Sequence, residues 1–400
     1  MGQKKHHLIN DLPHIYELED MMEFCKKYEN LYIYGSREEQ ECLLKYFDMC
    51  GVKTAGYVVT ALPEGKKEFV YRDMPVKTLE EVWREESVGI VLGIPDRYYH
   101  TIIPEFRRKG FQDFFIMSEH TKSGIASQMK PRTRDELTFE ISLADHCNLS
   151  CQMCDHYSQL SEEWFVDMER FKKDMVRMGE LFEHKIAAIT LLGGEPTLHK
   201  DIIECMRITR EQFPEAEVII LTNGVLLLQL EHSPNGNFWQ ACKDYRVHIT
   251  VTVYPVKVDY AEIERKAAEY GVSLGMSSNI HAQKSTKVVK ISDKHTLDLK
   301  GQVEKFYCVN CLYFNKFNVL KDGRVYMCPV AAHIDIFNKR FNQELKLRPE
   351  DSLDIYEIDS WERIAEFSCQ YTPFCSYCDL KRWGRHSEWK ASSREIGEYV

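Results

Sequence analysis

Short apolar runs alternate with amphipathic segments over the first third of the chain. Runs rich in β-branched and aromatic residues occur at 31–34, 54–59, 89–92 and 113–117, and the first is followed by a helical pattern at 38–47. Strands that alternate with helices predict βαβ units and a parallel sheet. We therefore expect a small Rossmann-like α/β domain over residues 1–125.

The turn after the first predicted strand lacks the glycine-rich fingerprint of a dinucleotide site. Of the pattern G-x-G-x-x-G, the run YGSREE at 34–39 has only Gly35, and its two glutamates would repel a pyrophosphate. The segment resembles the N-terminal nucleotide-sugar-type domains found beside sugar-modifying enzymes. We expect docking or oligomerisation from it rather than nucleotide binding.

A second series of strand and helix patterns follows a polar stretch at 121–134, which reads as a linker. Apolar or alternating runs at 138–143, 188–192, 218–222 and 247–253 are separated by amphipathic stretches, such as 162–184 and 202–213. This order predicts a partial (β/α)6 barrel of the TIM type over 135–300, with chemistry at the carboxyl ends of its strands. Residues 301–400 are rich in cysteine, aromatic residues and short turns, and we expect a separate C-terminal extension there.

Composition and charge exclude several classes of function. The 400 residues are 44% hydrophobic and 28% charged, which is ordinary for a globular protein. The net charge of −10 and a pI near 5.9 argue against nucleic acid as a partner. No run approaches the roughly 20 apolar residues that span a bilayer, and the first residues lack an apolar signal core. We expect no membrane span and a cytoplasmic location.

A cytoplasmic location affects the role expected of the 14 cysteines. In a reducing compartment they are expected to be ligands or buried small side chains rather than disulfides. Eight of them share tight spacings: Cys147, Cys151, Cys154, Cys308, Cys311, Cys328, Cys375 and Cys378. Core packing is the expectation for the other six, although Cys369 lies close to Cys375.

The most informative group is Cys147, Cys151 and Cys154, which has the spacing C-x3-C-x2-C directly after a predicted strand. Three thiolates on one loop can ligate three irons of a four-iron cluster and leave the fourth iron without a protein ligand. An iron without a protein ligand can bind another molecule and take part in a reaction. The flanking His146 and His156 fit a supporting or solvated role better than a ligand role.

The end of the next predicted strand carries Gly193-Gly194-Glu195-Pro196. The cysteine loop and this segment together resemble the radical S-adenosylmethionine (SAM) superfamily. The resemblance implies a [4Fe-4S] cluster whose open iron chelates SAM, with GGEP lining the methionine amine and Met153 packing near the adenine. It also points to Asn223, in the triplet Thr222-Asn223-Gly224, and to Thr252 near the ribose, although a turn and strand packing explain these two equally well.

The activity implied by the resemblance is reductive cleavage of SAM to a 5′-deoxyadenosyl radical that abstracts hydrogen from a substrate. An external electron donor such as flavodoxin or ferredoxin would then be a partner. The cofactors carry the difficult step, and the protein supplies orientation and exclusion of water.

The remaining clustered cysteines predict a second metal centre. The stretch from Cys311 through Gly323 to Cys328 resembles the start of the SPASM and twitch extensions of the superfamily, and a glycine turn in a hairpin would bring its two thiolates together. No cysteine follows Cys378, which favours one auxiliary [4Fe-4S] cluster over two. The preferred ligands are Cys311, Cys328, Cys375 and Cys378, with Cys308 as the competitor, and a four-cysteine zinc site remains the alternative.

The substrate is the least determined feature. A sugar or other small metabolite is the leading hypothesis, and a peptide- or protein-modifying maturase with a SPASM or twitch extension is the rival. A non-catalytic iron–sulfur or zinc protein is the alternative of another class, but it would have no use for an open iron. Tyr254, Tyr313, Tyr326 and Asp155 are available as acids, bases or hydrogen donors, and nothing in the sequence chooses among them.

Overall fold

A computed structural model of the chain describes residues 14–35, 37–277 and 291–400. These residues form two compact units. The first comprises the chain up to residue 131 with 304–315 and 369–371, and the second comprises 132–303, 316–368 and 372–400. Both units draw on separate stretches of chain, whereas the division predicted at 1–125, 135–300 and 301–400 is contiguous. That three-domain division stays a prediction.

A six-stranded sheet organises the first unit. The elements in chain order are α1 (Ile15–Cys25), β1 (Asn30–Tyr34), α2 (Glu38–Met49), β2 (Gly56–Val59), β3 (Phe69–Tyr71), β4 (Met74–Thr78), α3 (Leu79–Val82), β5 (Val88–Leu92), α4 (Tyr99–Arg108), β6 (Phe115–Ile116) and α5 (Glu119–Met129). The strand order is β3-β4-β2-β1-β5-β6, and every neighbouring pair is parallel except the β3–β4 hairpin. Buried Tyr32, Val58 and Ile90 on adjacent strands pack with Phe106 of α4. The predicted Rossmann-like arrangement is confirmed.

The polar stretch at 121–134 is not a plain linker, because most of it belongs to α5. Ser118 caps this helix by accepting a hydrogen bond from the backbone N–H of Thr121 at 3.2 Å. One face of the helix is buried through Ile125 and Met129. Apolar residues at this spacing are enough to anchor a helix even when its mean composition is polar.

An eight-stranded sheet organises the second unit. Its elements in chain order are β7 (Thr138–Ala144), α6 (Met168–Leu181), β8 (Ala188–Gly193), α7 (Ile202–Gln212), β9 (Glu217–Thr222), α8 (Phe238–Asp244), β10 (Val247–Thr252), α9 (Tyr260–Tyr270), β11 (Leu274–Ser277), β12 (Ile291–Lys294), β13 (Asn318–Lys321), β14 (Arg324–Tyr326), α10 (Pro329–Ala332), α11 (Ile334–Phe341), β15 (Ser352–Asp354), α12 (Glu362–Ser368) and β16 (Gly384–Glu388). The order is β11-β10-β9-β8-β7-β13-β14-β15, and β12 pairs separately with β16. The six strands from β11 to β13 are parallel, as a partial barrel requires.

The parallel strands β7 to β10 coincide with the four runs predicted from periodicity, and the α/β partial-barrel fold class is confirmed. Their carboxyl ends all lie at one edge of the sheet, so the loops that follow them converge there. Within the described ranges, no helix is long and apolar enough to cross a membrane.

The C-terminal part of the second unit contains the hairpin expected around Gly323. Strands β13 and β14 pair Lys321 with Arg324, and the two turn residues Asp322 and Gly323 have φ angles of 50° and 71°. Positive φ at both central positions is typical of the type I′ turn that fits tight hairpins. Strand β14 ends two residues before Cys328, which is the N-cap residue of α10.

Candidate functional site

The three cysteines of the C-x3-C-x2-C pattern lie on the loop that follows β7. The backbone N–H of Leu149 donates to Cys147 Sγ at 3.3 Å, and Met153 adopts a positive φ of 60° just before the third cysteine. Burial raises the pKa of the Cys147 and Cys154 thiols to about 12, and the neighbouring Cys151 thiol contributes to both rises. The Cys147 and Cys154 thiols would therefore ionise together near neutral pH only beside a cation.

The end of β8 packs against the start of this loop through its two glycines. Gly194 N donates to Ala144 O at 2.7 Å, and Glu195 N donates to His146 O at 3.1 Å. A Cβ on Gly193 would lie 2.2 Å from Ala144 O, and one on Gly194 would lie 2.1 Å from His146 O. Glycine is required at both positions because the obstructing atoms are backbone atoms, which cannot move aside cheaply.

The carboxylate of Glu195 is buried and joins the ends of β8 and β9. It accepts hydrogen bonds from Thr222 Oγ1 at 2.6 Å, from Asn223 N at 2.8 Å and from Thr197 N at 3.1 Å, and also from the Thr197 hydroxyl. Burial nevertheless raises the pKa of this carboxyl above its usual value, and the donors only partly offset that rise. Pro196 begins the short 3-10 turn that carries Thr197 back under the carboxylate.

Asn223 connects β9 to the cysteine loop. Its Nδ2 donates to Asn148 Oδ1 at 2.6 Å and lies 3.7 Å from Cys147 Sγ, while its Oδ1 accepts from Val225 N at 2.9 Å. The sequence offered a common turn as an equal explanation, but the structure brings this side chain to the first cysteine. Thr252 is the last residue of β10 at the same edge, and its contact with a ribose stays a prediction.

A segment near the C-terminus adds a short strand to the cysteine loop. The backbone N–H of Gln152 donates to Lys390 O, and that of Ser392 donates to Ser150 O, both at 2.9 Å. Residues 390–392 therefore fix the backbone of the loop from one side. Sequence reasoning missed this pairing, because a three-residue strand leaves no periodic signal.

Tyr254, which follows β10, lies against the same loop. Its buried phenol is hydrogen-bonded to the Cys151 thiol; burial and then the neighbouring Cys151 and Cys154 thiols hold its pKa well above the usual value. The Trp389 ring packs edge-on at 6.0 Å between ring centroids. Tyr254 thus contacts the cysteine loop directly, and Trp389 packs against Tyr254.

Charged side chains meet at the other side of the loop. Lys321 Nζ at the end of β13 lies 2.9 Å from Asp145 Oδ2, and His333 Nε2 lies 3.3 Å from Asp145 Oδ1. Burial disfavours the charged carboxylate, but His333 and Lys321 outweigh it and hold the pKa of Asp145 below its usual value. Burial lowers the pKa of His333 to about 4, so its ring is neutral near pH 7, and Ser142 Oγ lies 3.2 Å from His333 Nε2.

Two further polar groups beside this network have atoms without partners. Among the residues that the structure describes, no hydrogen bond reaches Glu140 Oε2 or His156 Nε2, although both atoms are buried. Burial raises the pKa of Glu140 to about 7, and His156 Nδ1 lies 2.9 Å from Asp155 Oδ1. Buried polar atoms normally have partners, so these two indicate a place for a polar ligand or water. Cys154, Asp155 and His156 also offer ligand atoms within 4.8 Å of one another.

The cysteines predicted to hold a second metal centre belong to both compact units. In the second unit, Cys328 Sγ accepts a hydrogen bond from Ala331 N at 3.4 Å, and Cys375 Sγ lies 3.6 Å from Thr372 Oγ1. Burial and then the nearby Cys378 and Cys328 thiols raise the pKa of Tyr157 well above its usual value. The two cysteines in the segment 304–315 of the first unit are Cys308 and Cys311. The ligand set chosen from the sequence stays a prediction.

The other cysteines fit the core packing expected of them. Buried Cys205 lies 3.7 Å from the Met168 sulfur, and buried Cys242 lies 4.0 Å from the Met206 sulfur. These are contacts of small apolar side chains rather than of metal ligands.

The segment that carries the cysteine loop and GGEP also resembles known proteins. Residues 141–253 match the profile described as the Radical SAM superfamily. The chain carries a radical SAM domain. Members of this enzyme superfamily use a [4Fe-4S] cluster and SAM, and the recognition made from the cysteine loop and GGEP is confirmed.

Two curated relatives each match about a quarter of the chain. A probable GTP 3′,8-cyclase of Pyrococcus horikoshii is 34% identical over 100 residues, which cover 24% of this chain and 30% of that protein. Molybdenum cofactor biosynthesis protein 1 of Drosophila melanogaster is 33% identical over 103 residues, 24% of this chain and 17% of that protein. The match thus spans less than a third of either relative.

Two solved structures resemble the fold of this chain only weakly. BtrN in complex with AdoMet and 2-DOIA aligns over 62% of this radical SAM chain and 94% of its own, with 18% identity and a TM-score of 0.40. SuiB of Streptococcus suis bound to S-adenosylmethionine aligns over 62% and 67%, with 15% identity and a TM-score of 0.24. At these scores the likeness says nothing further about substrate or activity.

The residues present fit the cofactors of the domain. The donor set is three thiols on one loop, and burial raises the pKa of two of them, Cys147 and Cys154, so that a bound cation would favour their thiolate forms. Glycine at two consecutive positions leaves main-chain surface without side chains beside this loop. Sequence reasoning found these groups but missed Lys321, His333 and Trp389, which lie far from the motif in the chain.

Proposed function

We propose that the chain is a radical SAM enzyme that acts on a small polar metabolite. Cys147, Cys151 and Cys154 would hold a [4Fe-4S] cluster, with SAM bound beside it. When bound, these cofactors supply a 5′-deoxyadenosyl radical, formed by one-electron cleavage of SAM, that abstracts hydrogen from the substrate. The observation that carries the proposal is the backbone link between the cysteine loop and GGEP, Gly194 N to Ala144 O and Glu195 N to His146 O.

The chain's own residues would orient the cofactors and exclude water. The family pattern assigns SAM contacts to Met153, Gly193, Gly194, Glu195, Pro196, Asn223 and Thr252. Because four hydrogen bonds already engage the Glu195 carboxylate, we assign it to holding the ends of β8 and β9 in place. The backbone of Gly193 and Gly194 would then be the surface presented to SAM. Tyr254 and Trp389 would keep solvent from the sulfurs.

A polar substrate is favoured by the unpartnered atoms next to Cys154. Glu140 Oε2 and His156 Nε2 would accept or donate hydrogen bonds to hydroxyl or amine groups of a sugar or similar metabolite. The names of the curated relatives do not transfer a substrate, because the match covers 24% of this chain.

A second [4Fe-4S] cluster and an external electron donor complete the proposal. The cluster would take its ligands from Cys308, Cys311, Cys328, Cys375 and Cys378, in an extension of the twitch type. A donor such as flavodoxin or ferredoxin would reduce the centres. We expect a reducing compartment such as the cytoplasm, where cysteines serve as metal ligands rather than in disulfides.

The test is release of 5′-deoxyadenosine by the full chain. Anaerobically reconstituted protein with dithionite and SAM should release it, and Cys151→Ala should abolish the release. Cys205→Ala, which removes a buried thiol outside the loop, is the matched control and should retain it. No release from protein whose cluster is intact by spectroscopy would refute the proposal.

A further inference from the structure

The first unit contains a cavity of about 570 Å³ at the carboxyl edge of its sheet. Tyr34 and Gly35 at the end of β1, Val59 of β2 and Ile94 after β5 line it. From β1 the chain crosses through α2 to β2 on one side, and from β5 it crosses through α4 to β6 on the other. The cavity therefore lies where the strand order reverses, and ligands of open α/β sheets bind in that crevice. Its volume is in the range of small-molecule sites.

Two arginines give the mouth of the cavity its charge. The guanidinium groups of Arg37 and Arg97 both act on the Tyr98 hydroxyl: a hydrogen bond from Arg97, its charge and then Arg37 lower the pKa of that phenol. In the described part of the chain, neither arginine forms an ion pair. Of the two glutamates in the lining, Glu38 is neutralised by Lys130 at 2.6 Å. The Tyr98 hydroxyl and, after it, the charges of Glu119 and Glu39 raise the pKa of Arg97, but Glu119 is paired with Lys122 at 3.2 Å. Two guanidinium groups in one lining, neither of them in an ion pair within the described residues, favour an anion.

Part of the cavity lining is apolar. Val59, Ile94 and Ile102 line it, and the Tyr98 ring at its edge is 45% exposed. Gly35 has a φ of 106°, and a Cβ there would lie 3.2 Å from Ile94 Cγ2. An apolar wall with an exposed aromatic ring accommodates a planar ring of a ligand.

The missing glycine fingerprint limits the kind of anion. A dinucleotide pyrophosphate is held by backbone N–H groups of a glycine-rich turn, but here that turn carries Arg37 and α2 begins directly after it, at Glu38. An anion in this cavity would be held by the arginine side chains instead. Exposed Glu39 in the lining would accept hydrogen bonds from hydroxyl or amine groups of the same ligand.

We propose that this cavity binds a nucleoside mono- or diphosphate. The base packs on Tyr98 and the apolar wall, and the phosphate lies between Arg37 and Arg97. The site is separate from the cysteine loop and does not depend on SAM chemistry. It replaces the expectation of a docking or oligomerisation role, which rested on the missing glycines and on repulsion by Glu38 and Glu39. Lys130 neutralises Glu38. Arg37 and Arg97 add positive charge to the lining.

Calorimetric titration of the full chain tests the proposal. The probes are ADP, GDP, UDP and CDP, with pyrophosphate and the four free nucleosides as comparisons. At least one nucleotide should bind saturably. Arg37→Ala and Arg97→Ala should each weaken binding about tenfold or more, because each removes a charge-assisted hydrogen bond. Tyr98→Ala should weaken it, and Tyr98→Phe should retain most of it.

Arg108→Ala is the matched control, because Arg108 lies on α4 beside Glu105 at 3.7 Å and does not line the cavity. Its affinity should equal that of the unaltered chain. Circular dichroism melting should show that all variants are folded. Absence of saturable binding, pyrophosphate binding as tight as the nucleotides, or unchanged affinity in the Arg37→Ala/Arg97→Ala double variant would each overturn the proposal. Release of 5′-deoxyadenosine is measured separately and should be the same in every variant.

Discussion

Two adjacent glycines determine how closely β8 and the cysteine loop approach each other. We expect Gly194→Ala to push the loop outward, because its Cβ would lie 2.1 Å from His146 O. Iron incorporation on reconstitution should fall several-fold while the far-UV circular dichroism stays the same. Gly397→Ala, where nothing lies within 4 Å of the added Cβ, should incorporate iron normally. Equal iron content in the two variants would mean that the loop tolerates the displacement.

Glu140, whose Oε2 is buried, should make the stability of the protein depend on pH. Burial raises its pKa from 4.5 to about 7, so the native state binds a proton more tightly than the unfolded chain does. The contribution to stability is therefore full below about pH 4.5 and is lost as the pH rises towards 7.

Glu140→Gln should remove that dependence, because glutamine stays neutral throughout. Relative to the unaltered chain, the variant should be more stable at pH 8, by up to about 3 kcal/mol, and the difference should shrink towards pH 5. Urea unfolding at several pH values measures it. A difference that is constant with pH would contradict the raised pKa of this carboxyl.

At the scale of single residues, the sequence predicted the motif but not its surroundings. The cysteine spacing and GGEP are local patterns, and they could be read without a fold. The contact of Asp145 with Lys321 joins positions that are 176 residues apart, and no periodicity marks such a pair. The same holds for Glu140, whose charge within a strand pattern gave no indication that its Oε2 is buried.

Strands were predicted correctly wherever their apolar residues recur with a regular period. Strands β7 to β10 were predicted because each is buried on both faces or alternates cleanly. The hairpin of β3 and β4 was missed, since β3 has only three residues and none of them is fully buried. Helix α5 was taken for a linker because its buried face includes polar residues such as Lys122 and Gln128.

The short strand at 390–392 is an element whose loss can be tested. Ser392→Pro removes the N–H that donates to Ser150 O. Losing one such hydrogen bond should increase the local opening of residues 147–154 about fivefold. Hydrogen exchange of peptides from this loop measures the change. Ser392→Ala keeps the N–H and removes only the hydroxyl that donates to Glu398, so its loop should exchange as in the unaltered chain. Equally fast exchange in the alanine and proline variants would mean that the side chain, and not the backbone hydrogen bond, holds the segment.

The whole chain should bind the iron of two clusters. Reconstituted protein is expected to hold about eight irons, four at the cysteine loop and four at the second set. Cys328→Ala should reduce the count to about four and leave the spectrum of the SAM-binding cluster in place. Cys242→Ala, at a buried cysteine beside Met206, should keep eight. Stoichiometric zinc, or four irons in the unaltered chain, would reject the second iron–sulfur cluster.

At the scale of the molecule, the sequence predicted the kinds of unit but not how the chain builds them. Residues 304–315 and 369–371 belong to the first compact unit, although more than a hundred positions separate them from its sheet. Composition changes along a chain locate contiguous segments, and they carry no information on a segment that returns to an earlier unit.

The pairing of Gln152 with Lys390 also implies an order in which synthesis of the chain and metal loading take place. Roughly 240 residues separate the two partners, and a ribosome adding about 5–20 residues per second needs on the order of ten to fifty seconds to make them. During that interval the three thiols exist without the strand that fixes their loop. Loading of metal would follow synthesis rather than accompany it, and the nascent thiols would depend on a reducing environment until the second partner arrives.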